Sequence, residues 1–158
     1  AYEIPKRDWS SDVCSSDLTA ERAAEVGATL VPKDELLARA DFATIHLVLS
    51  ERTRALIGAR ELTLMRPDTY LVNTSRGPIV EESALIAALR EHRIAGAALD
   101  VFDREPLPHD HPLLTLHNVV LTPHLGYVTA ETYAIFYGDA VEDIRAWAAG
   151  SPLRVIEG

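Results

Sequence analysis

Arg76, Glu105 and His124 each follow an apolar run of the chain, and their chemistries are complementary. An arginine offers a planar, permanently charged fork that grips a carboxylate through two parallel hydrogen bonds. A histidine takes up or releases a proton near neutral pH, which suits acid–base work on a hydroxyl. A carboxylate beside that imidazole fixes its orientation and stabilises its charged form. Together the three suit hydride transfer between a nicotinamide and the hydroxyl-bearing carbon of a 2-hydroxy or 2-oxo acid. Taken singly, each has a plainer explanation. An arginine after a strand commonly caps or faces solvent, and a glutamate in a proline-rich loop is commonly surface charge. A histidine after Pro123 can simply bond to backbone, and Asp100 can cap the following turn. Their convergence favours the chemical reading.

Convergence requires elements that bring the three to one edge. From Thr19 onward helical and strand patterns alternate. A short helix is predicted from Thr19 to Val26, stopped by Gly27, then a strand over 28–31 and a helix over 34–40 with Leu36 and Leu37 inward. The near-continuous apolar run 42–49 reads as a strand buried on both faces. A helix over 61–66 ended by Pro67, a strand over 70–73, and a helix over 82–92 with Leu85, Ile86 and Leu89 on one face come next. Strands over 97–101 and 119–122 follow. Such alternation predicts an α/β fold with a parallel sheet and right-handed crossovers. Ligands of such sheets sit beyond the carboxyl ends of the strands, where these residues fall. A last helix begins after its cap Thr129, with Glu131 in its first turn, and is stopped by Gly150 and Pro152. Its stripe of Tyr133, Phe136, Tyr137, Val141, Ile144 and Trp147 is expected to pack into a core.

Three stretches carry a family resemblance. Asn73-Thr74-Ser75-Arg76-Gly77-Pro78-Ile79-Val80-Glu81-Glu82-Ser83-Ala84-Leu85 resembles an arginine motif, and Gly96 to Pro108 an aspartate–glutamate motif. Asn118 to Gly126 resembles a histidine motif. In this order they resemble the D-isomer-specific 2-hydroxyacid dehydrogenases, from about Thr19 to the C-terminus. That family includes phosphoglycerate dehydrogenase, glyoxylate and hydroxypyruvate reductases, and formate dehydrogenase. The resemblance implies Arg76, Glu105 and His124 as catalytic residues, and an NAD or NADP cofactor met by Leu47, Thr74, Ser75, Arg76, Asp100, His124 and Gly126. It implies small 2-hydroxy or 2-oxo acids as substrates and a homodimer for the parent enzyme. Val48 stands where many members have proline, and Tyr127 where small residues are frequent. The alternatives are a dinucleotide-sensing, corepressor-like binding module and an inactive fragment.

The family's Gly-x-Gly-x-x-Gly turn, which holds the pyrophosphate at a helix N-terminus, is absent from the sequence. The expected architecture is therefore a partial Rossmann-type, doubly wound parallel sheet lacking its first two strands, plus a long C-terminal helix. Residues 1–18 are expected to be a non-native or disordered leader, 19–128 a partial dinucleotide-binding domain, and 129–158 a helix returning to an absent substrate domain. Residues 8–18 are serine-rich and without period, and resemble the conceptual translation of a sequencing-adapter oligonucleotide. A flexible serine-rich loop is the alternative, and on either view no function falls to Cys14. Without its central strands, the strand over 28–31 would lose its sheet partner and the strand over 42–49 would become an unpaired apolar edge, so the chain is expected to be poorly stable and nearly inactive. The net charge of −9 disfavours a phosphate-tracking surface, so no nucleic-acid partner is expected. No apolar run reaches the roughly 18 residues of a membrane span. A single cysteine forbids an internal disulfide or cysteine-rich metal site, consistent with a reducing, cytoplasmic setting and no metal.

Overall fold

Four short strands frame a computed structural model that describes residues 18–156: β1 (Phe42–Ile45), β2 (Tyr70–Asn73), β3 (Gly96–Leu99) and β4 (Val119–Leu121). All are parallel, in the spatial order β1-β2-β3-β4, with Phe42 opposite Tyr70, Tyr70 opposite Gly96 and Ala97 opposite Val119. The helices are α1 (Ala20–Glu25), α2 (Lys33–Arg39), α3 (Ala59–Leu64), α4 (Glu82–Arg90) and α5 (Ala130–Ala148). The parallel α/β sheet and the C-terminal helix are as the sequence predicts. The chain divides into two compact units between Pro123 and His124. Except for Leu18, the leader and its serine-rich segment lie outside the described residues.

Local chemistry explains the elements. Thr19 caps α1 by accepting from the Arg22 amide, and Gly27 ends it at φ +71°, where a side chain would be strained. Pro67 follows α3 closely and blocks its continuation. On one face of the sheet Ala43, Ile45, Leu71, Ala97 and Leu99 are buried in a single cluster with Leu62 of α3, Met65, and Leu85 and Leu89 of α4. The leucine, isoleucine and methionine side chains among them each contribute about 1.5–3 kcal/mol when fully buried.

Four expectations fail, each because burial depends on partners. Residues 28–31 form no strand, since a strand needs a neighbour to take its hydrogen bonds. Leu37 is buried but Leu36 is exposed. The run 42–49 is not a strand buried on both faces. Only its first four residues pair, and among the described residues β1 is an edge, as expected of a sheet without its first strands; its side chains alternate, with Phe42 69% exposed and stacked on Tyr70 at 5.4 Å. Finally, no residue of α5 is buried: its aromatic and aliphatic stripe, Trp147 included at 74%, faces solvent rather than a core.

Candidate active site

The turn after β2 is built by Asn73. Its side chain is buried; Oδ1 accepts from the Ser75 amide at 3.1 Å and Nδ2 donates to the Arg76 carbonyl at 3.0 Å. The Ser75 hydroxyl donates to the Ile45 carbonyl at 2.8 Å, tying this turn to the end of β1. Thr74 and Arg76 are thereby left on the surface, where the guanidinium donates to the Ser75 carbonyl at 2.6 Å. Beyond Arg76 comes a 3₁₀ turn, Gly77–Ile79. A Cβ on Gly77 would lie 2.1 Å from the Phe102 carbonyl carbon and 2.5 Å from the Asp103 nitrogen. Only glycine permits that approach, which sets the arginine-bearing turn against the loop carrying Glu105.

Asp100, just past β3, is buried. Its amide donates to the Asn73 carbonyl at 3.0 Å, and its Oδ1 accepts from the Thr122 hydroxyl at 2.6 Å. Asp100 thus links the tip of β3 to that of β2 through its backbone and to the residue after β4 through its side chain. Glu105 is exposed, and its Oε1 accepts from the Phe102 amide at 3.0 Å. The Glu105–Pro106 peptide is cis. Leu47 is half-buried against the core, and the Val48 carbonyl beside it accepts from the hydroxyl of buried Thr53 at 2.7 Å.

His124 opens the second unit. It is half-buried, at φ +56°, in the left-handed region that costs a non-glycine residue of order 1–2 kcal/mol. Its ring meets Tyr127 edge-on at 6.1 Å. Gly126 and Tyr127 are exposed. Arg76, Ser75, Asp100 and Glu105 thus share the first unit, with their loops fastened to one another, while His124 and Gly126 belong to the second.

Sequence reading assigned no task to Thr53, Asn73, His111 or Thr122. Asn73 had a usable signal, because an asparagine ending a strand two residues before a serine suits a turn in which its side chain accepts from the i+2 amide. The hydroxyl of Thr122 and the ring of His111 reach partners 22 and 29 residues away, which no local pattern reveals.

An NAD or NADP molecule at this sheet edge would meet three kinds of group. Asp100 offers a fixed carboxylate acceptor, Leu47 an apolar flank, and Thr74 and Ser75 hydroxyls at the sheet edge. Its pyrophosphate end has no glycine turn in this sequence. Among the described residues no group of three histidine, cysteine or acidic side chains is placed to hold a metal, and no helix is long and apolar enough to cross a membrane.

Comparison with known proteins gives a consistent result. The family model described as D-isomer specific 2-hydroxyacid dehydrogenase, NAD binding domain, matches residues 10–126. Glyoxylate/hydroxypyruvate reductase B of Enterobacter agglomerans is 46% identical over 130 residues, which cover 82% of this chain and 40% of that protein. A D-isomer specific 2-hydroxyacid dehydrogenase from Xanthobacter autotrophicus Py2, solved with NADPH and MES, aligns with a TM-score of 0.60 at 40% identity, covering 77% of this chain and 49% of that one. D-lactate dehydrogenase with NAD+ from Lactobacillus jensenii aligns with a TM-score of 0.71 at 30% identity, covering 85% of this chain and 45% of that one. The chain spans less than half the length of each.

Proposed function

Because the chain belongs to the D-isomer specific 2-hydroxyacid dehydrogenase family through its NAD binding domain, we propose that it supplies the catalytic half of an NAD- or NADP-dependent oxidoreductase of 2-hydroxy and 2-oxo acids. The observation that carries this is the contact of Gly77 with Phe102 and Asp103, which brings the Arg76 and Glu105 loops to the same edge of the sheet. The bound dinucleotide supplies or accepts the hydride. Arg76, exposed and permanently charged, holds the substrate carboxylate. His124 gives a proton to the 2-oxo oxygen in reduction and takes it back in oxidation. Glu105 is the carboxylate assigned to orient the acid–base imidazole. Leu47, Thr74, Ser75, Arg76, Asp100, His124 and Gly126 are the residues assigned to the cofactor.

Residues 19–128 serve as part of a dinucleotide-binding domain. Residues 129–158 return to the substrate domain of the complete enzyme, which gives the exposed α5 stripe a surface to cover. Small 2-hydroxy or 2-oxo acids, not nucleic acid, are the partners, and the complete enzyme is a cytoplasmic homodimer. The test is a hybrid in which residues 19–156 replace the matching span of the Enterobacter agglomerans reductase, assayed by NADH absorbance with glyoxylate. Turnover is expected, and His124→Asn should lower kcat by about 10²–10⁴-fold. Arg76→Lys should raise the glyoxylate KM by about tenfold or more through loss of the bidentate grip. A folded hybrid without turnover, or full activity in the histidine variant, would sink the assignment.

A further inference from the structure

The loop from Asp100 to His111 carries Glu105 and is fastened at both ends to the segment that follows Arg76. At its head, Phe102 and Asp103 lie against Gly77. At its tail stands His111, whose side chain is only 12% exposed. The His111 amide donates to the Pro108 carbonyl at 3.0 Å, closing the loop. Its ring then works in two directions. Nδ1 accepts from the Leu113 amide at 3.3 Å and so caps the 3₁₀ turn Pro112–Thr115. Nε2 lies 3.1 Å from Oε1 of Glu82, the first residue of α4. With Nδ1 accepting, the ring proton sits on Nε2 and is donated to that carboxylate. The two fastenings flank a narrow cavity of about 20 Å³, room for one water, lined by Gly77, Glu82, Phe102, Asp103 and Leu113 among others.

We propose that His111 is a positioning residue for Glu105: bridging Glu82 and the Leu113 amide, it holds the glutamate's loop in register with the arginine-bearing turn. It touches no reacting atom. The proposal rests on the assignment of Glu105 to the reaction, and its principal readout does not. Phe102 donates its amide to Glu105, so the exchange of that one hydrogen reports where the carboxylate is held. On the full 158-residue chain, His111→Asn keeps an acceptor near the Nδ1 position and loses the reach to Glu82. His111→Gln keeps a donor near the Nε2 position.

Exchange at Phe102 is expected to rise by about tenfold in His111→Asn, the scale of one charge-assisted hydrogen bond, with amides of β2 and β3 within about twofold of the parent. His111→Gln is expected to stay within about threefold at Phe102. Glu82→Ala should match His111→Asn, and the double variant should add nothing to either. In the reductase hybrid, His111→Asn should lower kcat while leaving the glyoxylate KM near the parent value, because Arg76 still grips the acid. Unchanged Phe102 exchange in His111→Asn would overturn the proposal, as would a rise shared equally by β2 and β3. A glutamine variant no better than asparagine would do the same. If exchange behaves as expected and the hybrid never turns over, the positioning stands and the catalytic assignment of Glu105 falls.

Discussion

One methyl group at position 77 is enough to part the arginine turn from the glutamate loop. The carbonyl it would strike belongs to backbone, which cannot rotate away as a side-chain tip would. Gly77→Ala is therefore expected to destabilise the chain by about 3 kcal/mol, at the upper end of overpacking costs, visible as a lowered urea midpoint. Glu61 makes a second residue-scale prediction. Lys33 first, then the amides of Glu61 and Gly58 and the Arg60 guanidinium, hold its carboxyl at about 2 against an ordinary 4.5. A depressed carboxyl contributes stability that is complete above pH 4.5 and is lost as pH falls through about 2. Lys33 and Arg60 are 41% and 62% exposed, so solvent screens the pairs and the contribution is about 1–2 kcal/mol. Denaturation of Glu61→Gln alongside the parent should show a constant gap above pH 4.5 that closes toward pH 2. A gap that widens on acidification would refute this. At this scale the residues proposed for chemistry were legible, since Arg76, Glu105 and His124 each sit within a recognisable motif. Two of their supports were not: Thr122 and His111 act through atoms whose partners only the fold brings near.

Among elements, the helices and strands themselves were easier to read than the surfaces they cover. The strand over 70–73 lies where its short apolar run and the preceding turn residues place it, and Thr129 caps α5 as expected by accepting from the Thr132 amide at 3.1 Å. Periodicity shows that a helix has an apolar face and does not say what that face meets. The α5 stripe and Leu36 are apolar faces without cover among the described residues. The apolar run after Phe42 failed for the same reason, since burial on both faces needs a layer on each. Truncations should respond accordingly. Leu62→Ala, in the core of α3, is expected to cost about 2–5 kcal/mol, while Trp147→Ala on α5 stays within about 0.5 kcal/mol. Thermal melts of the two variants check this. A comparable loss at Trp147 would mean that α5 is packed after all.

For the molecule as a whole, an edge strand bearing Phe42 and a helix whose apolar stripe is exposed predict a chain of low stability that associates as its concentration rises. Its turnover with NADH and glyoxylate should be close to nil on its own and should appear in the reductase hybrid. Light scattering and the absorbance assay measure the two, and ordinary turnover by the 158-residue chain would contradict the expectation. The order of the sheet carries one more consequence. Spatial order follows chain order, so during synthesis each strand after β1 emerges to find its neighbour already made, and pairing advances as a row growing at one end. The hydroxyl of Thr122 leaves the ribosome after all four strands, and Asp100 must wait for it. The contact between Thr122 and Asp100 is therefore among the last in the sheet to form, and a chain halted before β4 would hold its arginine turn without it.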